Sequence, residues 1–258
     1  MAGQMAFDAA EPAKGDFGTL PEWDLGDLYP APDSPELTAD IEALDARVRD
    51  FAATYQGRLA DLDAAAMLDC VEAYQQIDIL AGRIMSYVGL RYYQNTTDPV
   101  RAKQMGDLQG RITDLTAPLV FFGLEFNRIP DDRYDAVFTA SDGPARYKPV
   151  FDRMRAMRPH QLSDELEQFL HDNSVVGAAA WNRLFDETTA GLTFEVAGET
   201  LGLEATLNLL TDHDRARREA GARALATVFT ANVGLFTRIH NTLAKEKAIE
   251  DKWRKMPS

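Results

Sequence analysis

Apolar residues recur at helical spacing along most of the chain. The first clear stripe has apolar side chains three or four residues apart, at Leu37, Ile41, Leu44, Val48, Phe51 and Tyr55. This spacing places them on one face and predicts an amphipathic helix. Ser34, Pro35 and Glu36 fit a helix start, because Ser caps, Pro suits the first turn and Glu meets the positive end of the helix dipole. Gly57 is predicted to end the helix.

Two longer stripes follow and predict two further helices. One opens at Asp63 and keeps helical spacing to about Gln94. The other opens at Asp98, which is followed by proline and is predicted to cap the helix, and it runs to Phe126. Pro118 lies inside this second stripe. It should kink or split the helix, because proline lacks the backbone N–H and clashes with the preceding turn.

Shorter helices separated by breaks are predicted between residues 130 and 190. Residues 142–144, with the sequence Asp-Gly-Pro, are predicted to form a turn. Residues 158–162 interrupt the helical pattern, and Ser163 is predicted to cap the helix after them. Gly177 leaves open whether that helix continues or breaks.

The strongest strand signal runs from Leu192 to Val196, where apolar and polar residues alternate. Residues 197–200 are predicted to form a hairpin-like turn, and residues 201–203 a second short strand. Thr211 and Asp212 are predicted to cap a last, long helix. Its apolar pattern continues to the end of the sequence without a capping glycine.

These elements predict a mainly α-helical fold of long antiparallel helices with one small β-hairpin. Residues 1–19 are small, acidic and aperiodic, which is typical of a flexible N-terminal tail. Residues 20–258 form the predicted helical lobe. Within it, residues 20–130 are a candidate helical-hairpin subdomain, and residues 131–258 are the remaining helices with the β-hairpin. At the start of the lobe, Trp23 and Tyr29 are the expected anchors of a strap across the helices.

Composition and charge exclude several classes of partner. The 258 residues are 45% hydrophobic and 26% charged, which fits a folded globular protein. The net charge of -14 repels phosphate backbones and anionic membrane surfaces, so we expect neither nucleic acid nor a membrane as a partner. The sequence has one cysteine, Cys70, and no secretory signal. We therefore expect a cytoplasmic protein.

Local motifs for catalysis are not found in the sequence. No two of its four histidines have the three- or four-residue spacing of a helical zinc motif: His160, His171, His213 and His240. His213 lies between Asp212 and Asp214, which we interpret as a solvated helix start rather than a cation site. Cys70 lies in an apolar helix face and is predicted to be an inert buried thiol. The sequence also lacks a nucleophile elbow and a phosphate-binding loop.

Five strings, in order along the chain, resemble oligoendopeptidase F-like zinc metallopeptidases, which are relatives of thimet oligopeptidase. They are W-D-L-G-D-L-Y-P at residues 23–30, R-P-H-Q-L-S at 158–163, A-W-N-R-L-F-D-E at 180–187, N-T-L-A-K at 241–245 and E-D-K-W-R at 250–254. Together they extend over nearly the whole chain after residue 20. In this family they precede the catalytic helix.

The resemblance implies a zinc endopeptidase of short peptides, with a deep channel between two helical lobes. The H-E-x-G-H metal motif of the family is not in this sequence, so no metal ligand and no catalytic residue is carried over. Zinc is therefore expected in the intact enzyme and not in this chain. The chain corresponds to the N-terminal lobe, and the C-terminal catalytic domain is expected to be absent. A truncated piece is favoured over a natural stand-alone lobe.

Within this lobe, the hairpin is the predicted edge of the substrate channel, because an exposed strand can pair with an extended peptide. Its candidate residues are Leu192, Phe194, Val196 and Leu201. Alternatively, the hairpin only closes a gap between helices. Two other functions stay open, a stand-alone non-catalytic module that binds a peptide or protein and a structural scaffold. A cut-off lobe would also expose an apolar face and could form an artificial dimer.

Overall fold

The computed structural model describes residues 24–257, and within this part of the chain the fold is helical with one hairpin. The predicted tail at residues 1–19 and the predicted anchor Trp23 lie outside the described residues. The helices are α1 (Pro35–Tyr55), α2 (Ala64–Gln94), α3 (Pro99–Thr116), α4 (Val120–Arg128), α5 (Asp131–Thr139), α6 (Asp142–Ala145), α7 (Lys148–Ala156), α8 (Asp164–Asn173), α9 (Ala178–Ala190), α10 (Leu203–Asn208) and α11 (Arg215–Arg254). The mainly α-helical fold class with a small hairpin is thus confirmed.

The predicted starts of the first three helices are confirmed by capping hydrogen bonds. The Ser34 hydroxyl accepts from the Leu37 N–H at 3.2 Å, and the Asp63 carboxylate accepts from the Ala66 N–H at 2.9 Å. Asp98 accepts from the N–H of Val100 at 2.8 Å. Each bond satisfies a backbone donor that the first turn of a helix leaves free, so these starts could be predicted from local sequence.

Pro118 splits the third predicted helix, as expected. The chain leaves α3 at Thr116, passes through a 3₁₀ turn at Ala117–Leu119 and continues as α4. Aromatic side chains from α1, α2, α4, α5 and α7 then meet in one core cluster, in which Phe126 is fully buried and stacks on Phe151 with 4.0 Å between ring centroids. The expected anchor Tyr29 is 1% exposed and donates a hydrogen bond to Asp40.

Two local expectations were wrong, and a third was confirmed only in part. Residues 142–144 belong to the short helix α6 rather than to a turn, which is possible because the first turn of a helix tolerates a proline. Ser163 is the N-cap residue of α8, as predicted, but its side chain makes no capping bond, and Glu167 accepts the N–H of Leu162. The cap of α11 is Asp214 and not Asp212, because Asp212 accepts the N–H of Asp214 in a local turn.

The hairpin consists of β1 (Phe194–Val196) and β2 (Glu199–Leu201), which pair antiparallel with Val196 opposite Glu199. The turn is only Ala197 and Gly198, shorter than predicted, and both residues have positive φ (53° and 92°). Positive φ at both positions is what a two-residue type I′ turn requires. The second strand consequently begins two residues earlier than predicted, and Leu203 belongs to α10.

A second, smaller core cluster lies under the hairpin. Its buried members are Phe194, Val196, Leu201, Leu209, Ala224 and Leu225. These residues fix the hairpin and the 3₁₀ turn after α10 (Leu209–Thr211) on the first half of α11. The chain ends α11 at Arg254, where Lys255 takes a left-handed conformation with φ 54°, so the helix is capped although no glycine is present. Among residues 24–257, no helix is long and apolar enough to cross a membrane.

Candidate functional site

A large open cavity lies between α8, the start of α9 and the second half of α11. Its volume is about 1020 Å³, and we call it the α11 groove. The groove is lined by Leu162, Leu166, Phe169, Leu170, Asn173, Gly177, Trp181, Gly234, Thr237, Arg238, Asn241, Thr242, Lys245, Glu246, Ile249, Glu250 and Trp253. Most of the lining is contributed by one face of α11 and the facing side of α8.

The walls of the α11 groove are apolar but uncovered. Phe169 and Trp253 are each 60% exposed, and Ile249 is 48% exposed. Neither α8 nor α9 contains a fully buried side chain, and α11 buries only four of its forty residues. Amphipathic helices gain most of their stability from burying one apolar face. The apolar face of these helices is instead exposed to solvent, although its composition is that of a buried surface.

Four of the five family-like strings meet at this groove. They contribute Leu162, Trp181, Asn241, Thr242, Lys245, Glu250 and Trp253 to its lining. These positions lie far apart in sequence. The predicted site residues lie in the hairpin and do not include these groove-lining positions. The resemblance of the strings to one peptidase family could have indicated them.

Arg254 joins two of the strings at the end of the groove. Its Nη1 and Nη2 atoms donate to the two carboxylate oxygens of Glu167 at 2.7 and 2.9 Å, and Nη1 also donates to the carbonyl of His160 at 3.3 Å. The ring of His160 in turn donates from Nδ1 to the carbonyl of Arg254 at 2.8 Å. This reciprocal contact holds the last turn of α11 against the 158–163 segment.

The charges of this contact affect the pKa of Glu167. Burial raises this pKa, but hydrogen bonds from Arg254 and from the Leu162 N–H outweigh burial, so the pKa lies below its usual range. The pKa of Arg254 is raised, mainly by its hydrogen bond to Glu167. Both groups therefore stay ionised at neutral pH, and the paired charges fix the shape of the groove end.

The 158–163 segment is also tied to the first core cluster. Asp131 accepts hydrogen bonds from Arg158 at 2.8 Å and from Arg155 at 2.6 Å. These two guanidinium groups lower the pKa of Asp131 to about 2, with Arg158 the larger cause. Gln161 accepts a hydrogen bond from Asn127 at 2.9 Å. The segment thus connects the first half of the fold to α8 and α11.

The residues predicted as substrate-channel candidates lie mostly in the second core cluster. Phe194 is fully buried, while Val196 and Leu201 are each 7% exposed and also border a second cavity. Leu192 is half-buried and packs against the same cluster. The structure brings the four residues together on one side of the hairpin, and their role in a substrate channel stays a prediction.

The second cavity, which we call the hairpin groove, has a volume of about 1530 Å³. It is lined by the hairpin, α10, the first turns of α11 and the end of α9, together with Tyr93 near the end of α2 and Thr96 in the connection from α2 to α3. Its charged lining residues are Glu199, Glu204, Asp212 and Arg217. Asp212 and Arg217 form an ion pair at 3.0 Å.

The titratable groups do not assemble into a metal centre in the described part of the chain. Within residues 24–257, no three His, Cys, Asp or Glu side chains lie close enough to hold a metal ion. His160 and His171 are engaged with backbone carbonyls, of Arg254 and Thr113 respectively. Burial raises the pKa of the Cys70 thiol to about 12, which agrees with the predicted inert thiol.

These features define a helical lobe with an uncovered groove. Comparison with known proteins identifies a family model and two solved structures that are similar to it. Residues 125–194 match the model of the peptidase M3 N-terminal family, described as oligopeptidase F. The fold is similar to that of oligoendopeptidase-F from Enterococcus faecium, with 22% identity, a TM-score of 0.73 and 85% of this chain covered. These matches confirm the predicted resemblance to an oligoendopeptidase F-like N-terminal lobe.

A candidate peptidase from Chlamydophila abortus has a similar fold, with 14% identity, a TM-score of 0.51 and 92% of this chain covered. The present chain spans 44% of the length of the Enterococcus protein and 40% of the Chlamydophila protein. No curated protein sequence matches the chain.

Proposed function

We propose that this chain is the N-terminal helical lobe of a zinc metalloendopeptidase that hydrolyses short peptides, and that it forms one wall of the substrate channel. The zinc and the groups that act on the peptide bond are assigned to the catalytic half of that enzyme. The residues described here do not fit a zinc site, so no reaction step is assigned to them. Their role is to bind, to orient and to restrict access.

The observation that carries this proposal is the α11 groove. Its apolar wall is lined by four strings that resemble one peptidase family, yet α8 and α9 bury no side chain completely. Burial of such a face against a second lobe would remove Phe169, Ile249 and Trp253 from water and supply the packing that these helices lack. A groove between two lobes would also exclude folded proteins and admit short peptides.

The test is to measure zinc content and peptide cleavage in the protein encoded by the complete gene and in the 258-residue chain. We expect stoichiometric zinc, and cleavage of a quenched fluorescent peptide, only in the product of the complete gene. This product should not cleave a folded protein offered as substrate. Replacing Phe169 and Trp253 by alanine should impair the complete enzyme. Val150→Ala is the matched control, because Val150 is 65% exposed on α7 outside the groove.

A stand-alone binding module is the second candidate, and the openness of the α11 groove favours it. An apolar groove of this size can hold one face of an amphipathic helix. This function predicts that the complete gene encodes no zinc-binding half and that its product has no peptidase activity. Activity with bound zinc in the complete product would exclude it.

A further inference from the structure

The second strand of the hairpin has a free edge. In a two-residue hairpin the pair next to the turn, Val196 and Glu199, exchanges hydrogen bonds, so the next pair, Glu195 and Thr200, does not. The N–H and C=O of Thr200 therefore point away from β1. Strand β1 contacts α11 and α10, and in the described part of the chain the hairpin is the whole sheet. Nothing within residues 24–257 pairs with the outer edge of β2.

The free edge lies beside the hairpin groove. Glu199 and Leu201, on either side of Thr200, both line this cavity, and so does Tyr93, which is 64% exposed. The Thr200 side chain points to the opposite face, where its hydroxyl donates to Glu195 at 2.6 Å. Because side chains alternate along a strand, a chain added beside β2 would place every second side chain in the groove.

The charge of the groove selects among such chains. Asp212 and Arg217 compensate each other, whereas Glu199 and Glu204 are exposed and make no ion pair among the described residues. The lining therefore carries two uncompensated negative charges, one of them on the edge strand itself. A basic side chain directly opposite Glu199 would form a favourable cross-strand pair, and an acidic one would be repelled.

We propose that the edge of β2 and the hairpin groove bind an extended peptide that carries a basic side chain in the groove. The peptide backbone pairs with the N–H and C=O of Thr200, and its Lys or Arg lies near Glu199 and Glu204. This inference rests on the proposed function in taking a short peptide as the ligand class. It adds the binding edge and the residues that determine specificity.

The test is the binding of two labelled, capped peptides of equal length to the full 258-residue chain, measured by fluorescence anisotropy. One peptide alternates Lys with Ser and the other alternates Glu with Ser. We expect saturable binding of the Lys peptide only. Glu199→Gln and Glu204→Gln should each weaken it about three-fold, as for other exposed ion pairs. Glu42→Gln, which removes an equal charge from an exposed position on α1, should leave it unchanged.

Two variants at Thr200 test the backbone contact. Thr200→Pro removes the outward N–H and should weaken binding about five-fold, the value expected for one hydrogen bond. Thr200→Val removes the hydroxyl but keeps the N–H and should bind normally. Circular dichroism melting checks the fold of both variants. If Thr200→Pro does not fold, the Glu199→Gln, Glu204→Gln double variant decides, with about ten-fold weaker binding expected.

Equal affinity for the two peptides, no saturable binding, or binding that the Glu variants leave unchanged would overturn this inference. A dimer of the chain that forms through the edge of β2, and that Thr200→Pro abolishes, would also overturn it, because a second copy of the chain would then occupy the edge. Failure here with zinc and cleavage intact in the complete enzyme would leave the proposed function standing and place the peptide elsewhere. Lys-peptide binding without any peptidase activity would keep the binding edge and reject the enzyme.

Discussion

Arg254 connects elements that lie far apart in the sequence. It pairs with Glu167 in α8, with Glu250 one helical turn earlier and with the carbonyl of His160. The side chains of Arg254 and Glu167 are 18% and 14% exposed, so their hydrogen bonds are largely shielded from water. Loss of one partner would leave a charge with little solvent to compensate it.

We therefore expect Arg254→Met to lower the free energy of unfolding by about 2 kcal/mol, because hydrogen bonds to a charged group are lost. Urea denaturation followed by circular dichroism measures this change. The matched control is Arg223→Met, also on α11, which removes an exposed pair with Glu219 and should change stability by less than about 0.5 kcal/mol. Equal losses in the two variants would show that the Arg254 contact does not hold α11 in place.

Asp131 gives a prediction for acid pH. Its pKa of about 2 lies below the ordinary value of 3.8, so the unfolded chain binds the proton first as the pH falls. The stability from this carboxylate is complete above about pH 4 and is lost as the pH falls toward 2. Arg158→Met removes the larger cause and should raise the pKa, which NMR titration of the Asp131 carboxyl group measures. An unchanged pKa would contradict the observed pairing.

The turn of the hairpin contains one residue in an unfavourable conformation. Ala197 has φ 53°, a region that alanine rarely adopts and that asparagine tolerates. We expect Ala197→Asn to stabilise the chain by about 0.5 to 1 kcal/mol in urea denaturation. Gly198→Ala, at φ 92°, should destabilise it by at least as much. The reverse order of the two variants would mean that the turn is not of type I′.

At the scale of elements, the sequence was sufficient to predict those features that depend on residues close together in the chain. The cap at Asp63, the split at Pro118 and the hairpin were predicted because each arises within a few residues. The α11 groove was not predicted. Helical periodicity marks an apolar face but does not tell which element covers it, and the contact of Arg254 with Glu167 joins residues 87 positions apart. Only the three-dimensional structure shows that four of the family-like strings lie together at one groove.

The two halves of the fold should respond differently to the loss of an aromatic side chain. Phe126→Ala opens a hole in the first core cluster and should cost about 3 to 5 kcal/mol of unfolding free energy. Phe169→Ala, on the exposed wall of the α11 groove, should cost the isolated chain less than about 0.5 kcal/mol. Chemical denaturation compares them. A large loss for Phe169→Ala would show that the groove is packed already within the chain.

At the scale of the whole molecule, an uncovered apolar face and a net charge of -14 have opposite effects on self-association. We expect the chain to form a dimer through the α11 groove at high concentration, and more strongly in high salt because salt screens the repulsion. Sedimentation velocity measures this. Phe169→Ser with Trp253→Ser should keep the chain monomeric, and Val150→Ser should not. A monomer under all conditions would contradict the expected dimer.

The central claim is that the α11 groove is covered by the catalytic half of a peptidase. Hydrogen exchange measured by mass spectrometry, in the 258-residue chain and in the product of the complete gene, tests it most directly. We predict fast exchange in α8, α9 and the second half of α11 in the chain alone, because these helices bury few side chains. In the complete protein the same segments should be strongly protected, while α2 exchanges slowly in both. Equally fast exchange of the groove helices in the two proteins would contradict the claim.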